Sequence, residues 1–318
     1  MPTYLVTGGA GFIGSHLVTA LLREGHRVRI VDNLSTGRRE RLCAGAECVE
    51  ADITDLDAIR PAFRGVDGVF HVAALPRVQF SIEHPRESNA ANITGTLHVL
   101  EAAREAGVRR VVYSASSSAY GDQPTMPLHE GMTPSPKSPY GLQKYVGEGY
   151  CKTYTLCHGL GTVSLRYFNV YGPGMPDEGA YNTVIAIFLR QRRAGQPLTI
   201  TGDGTQTRDF THVRDVVRAN MLAMASAKVG SGETMNIGAG SNHSVNEVAR
   251  MIGGPVVHVP PRLEPHDTLA DNRRARELLG WIPQERFEDG IRELLALHGI
   301  REAVGSDARS EVLTPQAA

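Results

Sequence analysis

The sequence is poor in lysine. Only Lys137, Lys144, Lys152 and Lys228 occur, and arginine supplies the other basic residues, so each retained lysine carries more information than usual. Charge imbalance is also missing: 33 Lys and Arg face 34 Asp and Glu, a formal net charge of -1. Bulk electrostatics therefore offer nothing to nucleic acid or to an anionic membrane, and any anionic ligand must be held by local groups. No apolar run approaches the roughly 20 residues that span a bilayer, and MPTYLVTGGAG has neither the basic nor the apolar region of a signal peptide. The expectation is a cytoplasmic protein with no membrane or nucleic-acid partner. Cys43, Cys48, Cys151 and Cys157 lack the tight pairing of a zinc site and any secretory context, so they are expected to be free thiols, and no metal constellation is found.

What is present is an alternation of strand and helix patterns. At 318 residues the chain can bury one large core or two modest ones. Tyr4 to Val6 reads as a strand, Ser15 to Arg23 as a helix and Arg27 to Asp32 as a second strand. The series continues with Gly68 to Ala74, a helix over Ala90 to Ala106, and a strand over Arg109 to Ser116. Pro139 to His158 then forms a long helix and Thr162 to Phe168 a strand, before a Gly/Pro-rich loop from Pro173 to Asn182. Near-continuous apolar strands such as VVY and VFHVAA predict a doubly wound parallel α/β sheet, a Rossmann arrangement covered on both faces. Beyond the loop the pattern is less regular: Thr183 to Arg193 is helical, LTI and TMNIG are short strands, and the last helix covers Phe287 to Leu297. The expected organisation is a first domain over 1–168 with some return from about 208–237, a smaller α/β substrate domain from 169–207 and 238–302, and a flexible tail at 303–318.

TGGAGFIGSH sets Gly8, Gly11 and Gly14 between the first strand and first helix. Such a turn lets backbone approach a pyrophosphate while helix N–H groups face its charge, with Phe12 and Ile13 opening the helix. A glycine-rich turn alone is weak evidence. Here Asp32 follows the last glycine by 18 residues at the end of the next strand, where it would accept hydrogen bonds from the adenosine ribose and repel a 2′-phosphate. DNLSTG, including Asn33, Ser35 and Thr36, offers no basic residue before Arg38. NAD is expected rather than NADP. Asp52 and Ile53 are placed to meet the adenine, with an N-cap for the next helix as the alternative use of Asp52.

SPYGLQK sets Tyr140 and Lys144 four apart at the start of a helix, hence on one face. A phenol titrates near 10, and bringing it to neutrality takes about three pH units, or about 4 kcal/mol. An adjacent ammonium and a cationic nicotinamide are expected to supply that. The bland alternative is a surface pair, and the glycine turn together with the serine-rich YSASSSAYGD upstream argues against it.

With these stretches in place the chain resembles the extended short-chain dehydrogenase/reductase family, in particular its nucleotide-sugar epimerases and dehydratases. TGGAGFIGSHL, VDNLSTG, HVAALPRVQFSIEHP, NAANITGTLHVLEAA, SASSSAYGD, SPYGLQK, RYFNVYGP, GDGTQTRDFTHV and LADNRRARELLGW carry the resemblance in order over nearly the whole chain. It implies that Ser116 shares the substrate hydroxyl with the catalytic Tyr140, and that Lys144 completes the catalytic set. It also implies that Ser114 faces the nicotinamide, that Val72, Ala73 and Ala74 line the cofactor, and that Tyr167 and Phe168 lie beside its ring. The implied reaction oxidises a sugar at C4 to a 4-keto sugar, from which the chain either returns the hydride with inversion or eliminates water.

Family 4,6-dehydratases carry an Asp-Glu pair where this sequence has Ser117 and Ser118, and hydroxyls cannot act as a neutral-pH acid/base pair unaided. A 4-epimerase is therefore expected, with a dehydratase as the alternative because Ala119 stands where epimerases commonly have valine. The resemblance places Arg77, Phe80, Ser117 and Val184 near the hexose. It puts Asn169, Arg208, Arg262 and His266 at the diphosphate, and Leu198, Thr199 and Ile200 around the base. For Arg208 an ion pair with Asp209 is the alternative. Thr268 aligns with a position that is bulky in glucose/galactose-restricted relatives, so a UDP-N-acetylhexosamine is favoured, with UDP-hexose behind it. Relatives pair the helices at Ala90 to Ala106 and Pro139 to His158, which implies a homodimer. His71, His98 and His212 sit in apolar contexts and are expected to be satisfied core histidines.

Overall fold

The structure is a computed structural model that describes residues 1–176, 183–261 and 265–301; Arg262, the end of the Gly/Pro-rich loop and the 303–318 tail lie outside the described residues. Among the described residues eleven strands run in chain order as β1 (Thr3–Thr7), β2 (Arg27–Asp32), β3 (Glu47–Glu50), β4 (Gly68–His71), β5 (Arg110–Ser116), β6 (Gly161–Tyr167), β7 (Leu198–Thr201), β8 (Thr207–Asp209), β9 (Ser231–Ile237), β10 (Asn242–Ser244) and β11 (Val256–Val259). The helices are α1 (Phe12–Arg23), α2 (Leu56–Ile59), α3 (Val78–Glu83), α4 (Pro85–Asn89), α5 (Gly95–Glu105), α6 (Pro139–His158), α7 (Val184–Arg193), α8 (Val213–Ala225), α9 (Val245–Ile252), α10 (Arg273–Leu279) and α11 (Phe287–Leu297). Among the described residues no helix is long and apolar enough to cross a membrane.

Seven strands form one parallel sheet in the order β3-β2-β1-β4-β5-β6-β9. This is the doubly wound topology, and its reversal between β1 and β4 opens a crevice at the carboxyl ends of the strands. Both faces are covered. On one, Leu17, Val18, Val216, Ala219 and Trp281 pack against Val6, Phe70 and Val112; on the other, Val99, Leu100, Ala103 and Cys151 pack against Leu5, Val69, Val111 and Tyr113. A third cluster, with Phe188, Leu189, Phe210, Val248 and Phe287, closes the smaller lobe, which carries the β7–β11 and β8–β10 pairs.

Local signals account for the element that matters most. Helix α6 begins where Ser138 accepts the Gly141 N–H at 3.1 Å and Pro139 fills the first turn, and it ends at Gly159 with φ 69. At Gly147 a Cβ would run into the Tyr113 hydroxyl, so glycine there lets α6 lie close on β5. Elsewhere boundaries shift. The strand expected over Gly68 to Ala74 stops at His71, because Val72 to Ala74 leave the ladder to border the crevice. The helix expected over Ala90 to Ala106 starts with a π-helical turn, Ala90–Thr94.

The three histidines have partners. His98 Nδ1 lies 3.1 Å from the Ile53 carbonyl, and His212 Nδ1 accepts the Arg214 N–H at the start of α8. His71 is buried between two threonine hydroxyls, Thr7 at 2.8 Å and Thr96 at 2.9 Å. Burial, with the nearby Lys144 charge, pushes its pKa down to about 3. An unfolded histidine takes up a proton near 6.5, so below that pH the unfolded chain binds a proton that the native one refuses. Stability is then full above 6.5 and falls by about 1.4 kcal/mol per pH unit as the pH drops. In urea unfolding at pH 7.0, 6.0 and 5.0, His71→Gln should show a shallower loss by about that amount per unit; parallel curves would mean that His71 titrates normally.

Candidate active site

The carboxyl edge of the large sheet opens into one cleft of about 1830 Å³ that reaches into the smaller lobe. At its first end, the turn after β1 places Gly8, Gly11 and Gly14 beside Phe12 and Ile13, all on the cleft wall. Gly8 has φ 72, and a Cβ there would lie 2.7 Å from the Ala73 amide nitrogen, so glycine is required by both conformation and space. At Gly11 a Cβ would meet only the Gly8 carbonyl, at 3.1 Å, and otherwise open cleft. This cradle at the start of α1, which carries no side-chain cap, fits a dinucleotide pyrophosphate.

Asp32 ends β2 buried, accepting the Ala10 N–H at 2.9 Å through Oδ2 and the Leu34 N–H at 2.8 Å through Oδ1. Its carboxylate thus fixes the glycine turn as well as facing the cleft beside Asn33, Ser35 and Thr36. Asp52 and Ile53 line the next stretch. Asp52 is not the helix cap: that is Asp55, which accepts the Ala58 N–H. Asp52 instead accepts from Thr54 and from Asn33 Nδ2 at 2.7 Å; burial raises its pKa, and these bonds outweigh it to hold the carboxyl below the ordinary value.

Beyond β4, Val72, Ala73 and Ala74 line the cleft, with the Val72 and Ala73 N–H groups donating to Thr7 Oγ1 at 3.2 Å each. Ser116, at the end of β5, and Tyr140, in the first turn of α6, face the same space together with Ser117 and Ser118. Lys144 sits one turn deeper, buried, with Nζ donating to the Ser114 carbonyl at 2.8 Å and lying 5.0 Å from the Tyr113 ring centroid. Burial pushes its ammonium down to about 8. The Tyr140 phenol moves upward from its ordinary value because burial outweighs its hydrogen bonding with Ser116. Burial thus works against the lowering expected from Lys144 together with a cationic nicotinamide.

The remaining expected residues divide by depth. Arg77, Tyr167, Asn169, Val184, Thr199, Arg208 and Thr268 line the cleft. Asn169, at φ 31, donates from Nδ2 to the Asp209 carbonyl at 3.0 Å and to Thr268 Oγ1 at 3.3 Å. Arg208 donates to the Thr207 and His266 carbonyls at 2.8 and 2.9 Å. Asp209 is buried and accepts the N–H groups of Ala239, Gly240 and Ala270. Other residues stand away from the described wall. Ser114 is buried behind Tyr167, their hydroxyls 3.1 Å apart, and Phe168 is packed against Tyr120, Leu128 and Ala270. Leu198 and Ile200 turn into the small-lobe core, and the Thr199 N–H already donates to Gln191 Oε1 at 3.0 Å. Phe80 stacks on His84 with ring centroids 4.7 Å apart, and His266 is solvent-exposed against Asp267 at 2.9 Å.

Sequence reasoning missed the residues that hold this arrangement. Ser81 Oγ accepts the Tyr140 N–H at 3.0 Å. Asn92, in the π-helical turn, donates to the Leu75 carbonyl at 3.1 Å and to Gln143 Oε1 at 2.8 Å, while its own Oδ1 accepts the Leu75 N–H at 2.8 Å. It thereby ties the loop after β4 to α6. The signal available was an asparagine, a poor helix former, inside an expected helix. Glu148 and Arg166 form a buried bidentate pair at 2.8 and 2.7 Å beneath Lys144, joining α6 to β6.

A family model described as the NAD dependent epimerase/dehydratase family matches residues 4–238. A UDP-glucose 4-epimerase of Mycolicibacterium smegmatis is 41% identical over 303 residues, covering 90% of this chain and 95% of that one. The solved UDP-glucose 4-epimerase of Thermotoga maritima with UDP-glucose has a TM-score of 0.88 at 38% identity, covering 92% of this chain and 97% of that one. The UDP-N-acetylglucosamine 4-epimerase of Methanobrevibacter ruminantium, solved with UDP-N-acetylmuramic acid, also reaches 0.88, at 34% identity, with 93% and 97% covered.

Asn92→Ala would leave the Leu75 N–H and carbonyl without their side-chain partner, while Gln143 Oε1 would keep only the Ser88 hydroxyl at 2.7 Å. The expected cost is about 3 kcal/mol in urea unfolding; a loss below about 0.5 kcal/mol would show that the loop is held by other contacts.

Proposed function

The chain belongs to the NAD dependent epimerase/dehydratase family, and we propose that within it the protein is a 4-epimerase of UDP-hexoses, UDP-N-acetylhexosamines foremost. The observation that carries this reading is the meeting of Ser116 and Tyr140 on the cleft wall, with Lys144 directly behind them. Tyr140 takes the proton from the C4 hydroxyl while Ser116 hydrogen-bonds the same oxygen. NAD, when bound, supplies the hydride acceptor at C4 and the hydride that returns, so the reaction is redox-neutral. To accept the C4 hydroxyl proton, Tyr140 must be the phenolate; burial works against this form, and the Lys144 ammonium one helical turn away, with the positive charge that NAD⁺ would bring, favours it. Glu148 and Arg166 hold the helix that carries both groups.

Inversion at C4, rather than loss of water, is supported by Ser117 and Ser118 on the cleft wall, where elimination would call for carboxylates. Ala119, the position that favoured a dehydratase, is fully buried and so bears on packing rather than on the sugar. Arg208 and Asn169 line the cleft, which supports a role for them at the diphosphate, whose charge a chain of net charge -1 must meet locally. Thr268 is small, borders the cleft and is fixed by the Asp209 N–H at 3.2 Å, which leaves room for an acetamido group. The similar UDP-N-acetylglucosamine 4-epimerase supports the same substrate class.

Incubation with UDP-N-acetylglucosamine and UDP-glucose without added reductant, followed by mass spectrometry and proton NMR, is expected to give products of unchanged mass and inverted C4 configuration. Loss of one water would replace epimerisation by dehydration, and stoichiometric NADH release would sink both. Tyr140→Phe should lower kcat by about a hundredfold or more while leaving NAD content intact; near-normal turnover would remove Tyr140 from the base role.

A further inference from the structure

The glycine-turn motif TGGAGFIGSH closes on His16, a residue with no part in the proposed reaction. His16 lies one turn into α1, outside the wall of the large cleft, in a small hollow it shares with Ser15, Thr19 and Arg41. Its Nε2–H donates to the Pro173 carbonyl at 2.7 Å, across 157 residues of chain. Arg41 donates from Nη2 to the Gly174 carbonyl, also at 2.7 Å. Two adjacent carbonyls of one strap are thus caught by two elements of the cofactor side: α1, whose start cradles the pyrophosphate site, and the turn after β2. The strap is built for this. Gly172 and Gly174 have φ 140 and 78, conformations that glycine adopts freely and that set the direction of the flanking carbonyls. Phe12 packs edge-on against the His16 ring at 5.8 Å and itself faces the cleft, as does Met175 at the end of the strap. Between β6 and the small lobe, the chain therefore runs beside the dinucleotide end of the cleft, which Phe12, Arg41 and Met175 all line, and is fastened there to α1 and to the turn after β2.

We propose that His16 and Arg41 are cofactor-retention residues: they pin the Gly172–Met175 strap beside the pyrophosphate end of the cleft, and both hydrogen bonds break before the dinucleotide exchanges. This rests on the reading of the chain as an NAD-dependent enzyme, and it explains how a redox-neutral enzyme keeps one NAD through many turnovers. Neither residue touches the reacting atoms, so their removal acts on exchange and not on the chemical step.

The test uses the full-length holoenzyme and follows replacement of bound NAD by isotope-labelled NAD with native mass spectrometry. A single net hydrogen bond corresponds to roughly a fivefold change. His16→Ala and Arg41→Ala are each expected to speed exchange by about that factor, and the double variant by about tenfold or more, with the urea midpoint of the NAD-free protein little changed. His16→Gln, which keeps an N–H donor, should exchange more slowly than His16→Ala. A folded double variant that exchanges NAD at the wild-type rate would overturn the retention role while leaving the NAD reading intact. Faster exchange matched by an equal loss of global stability in His16→Ala and His16→Gln alike would also overturn it, in favour of a purely structural role. Wild-type protein that neither carries nor binds NAD would overturn the reading beneath it and the proposal together.

Discussion

The hydrogen bond from Lys144 Nζ to the Ser114 carbonyl, 2.8 Å long and buried, fixes the first turns of α6 against the end of β5. Ser116 belongs to that strand and Tyr140 to that helix, so their meeting depends on this docking. The close approach needs Gly147 beneath the Tyr113 ring. It is extended by the Glu148–Arg166 pair to β6, and from there by the Arg166 guanidinium over the Tyr120 ring at 4.5 Å. Tyr120 in turn donates to Asn236 Oδ1 on β9 at 2.7 Å. Breaking such a buried pair by removing one partner costs several kcal/mol, because a charge is left without compensation.

The same docking dries the site, and dryness sets its electrostatics. Burial drives the Lys144 ammonium and the Tyr140 phenol toward their neutral forms, one downward and one upward. A phenolate at Tyr140, the form able to accept a proton, is favoured by the nearby ammonium and the Ser116 hydroxyl, which act over short distance and low dielectric.

The dinucleotide end of the cleft is arranged differently, around backbone rather than charge. Asp32 spends both oxygens on backbone N–H groups of the glycine turn and of Leu34, which holds the turn in shape. The smaller lobe repeats this at Asp209, whose carboxylate gathers three N–H groups and so ties β8, which carries Arg208, to the turn after β9 and to the segment after Thr268. In both places a buried carboxylate organises loop backbone, and the side chains facing the cleft follow from it.

Local pattern was enough to read the doubly wound sheet, the turn at Gly8 to Gly14, the α6 helix to both its ends, and the pairing of Tyr140 with Lys144. Each of these depends on short-range rules: apolar periodicity, a glycine conformation, a serine cap with proline behind it, and a four-residue spacing. The supporting residues were not legible in the same way, since Asn92, Ser81, Gln143 and the Glu148–Arg166 pair matter only through partners far along the chain. Nor could spacing say which side of a strand or loop faces the ligand: Ser114, Phe168 and Phe80 carry plausible side chains, yet packing turns them elsewhere. By itself, then, the sequence determined the fold class, the glycine turn and the one-turn spacing of Tyr140 and Lys144, because those follow from local backbone chemistry. Only the tertiary structure decided which hydroxyls reach the cleft, how the phenol and ammonium are shifted by burial, and where His16 and Arg41 fasten the strap, because each of these is set by groups brought together across the sheet.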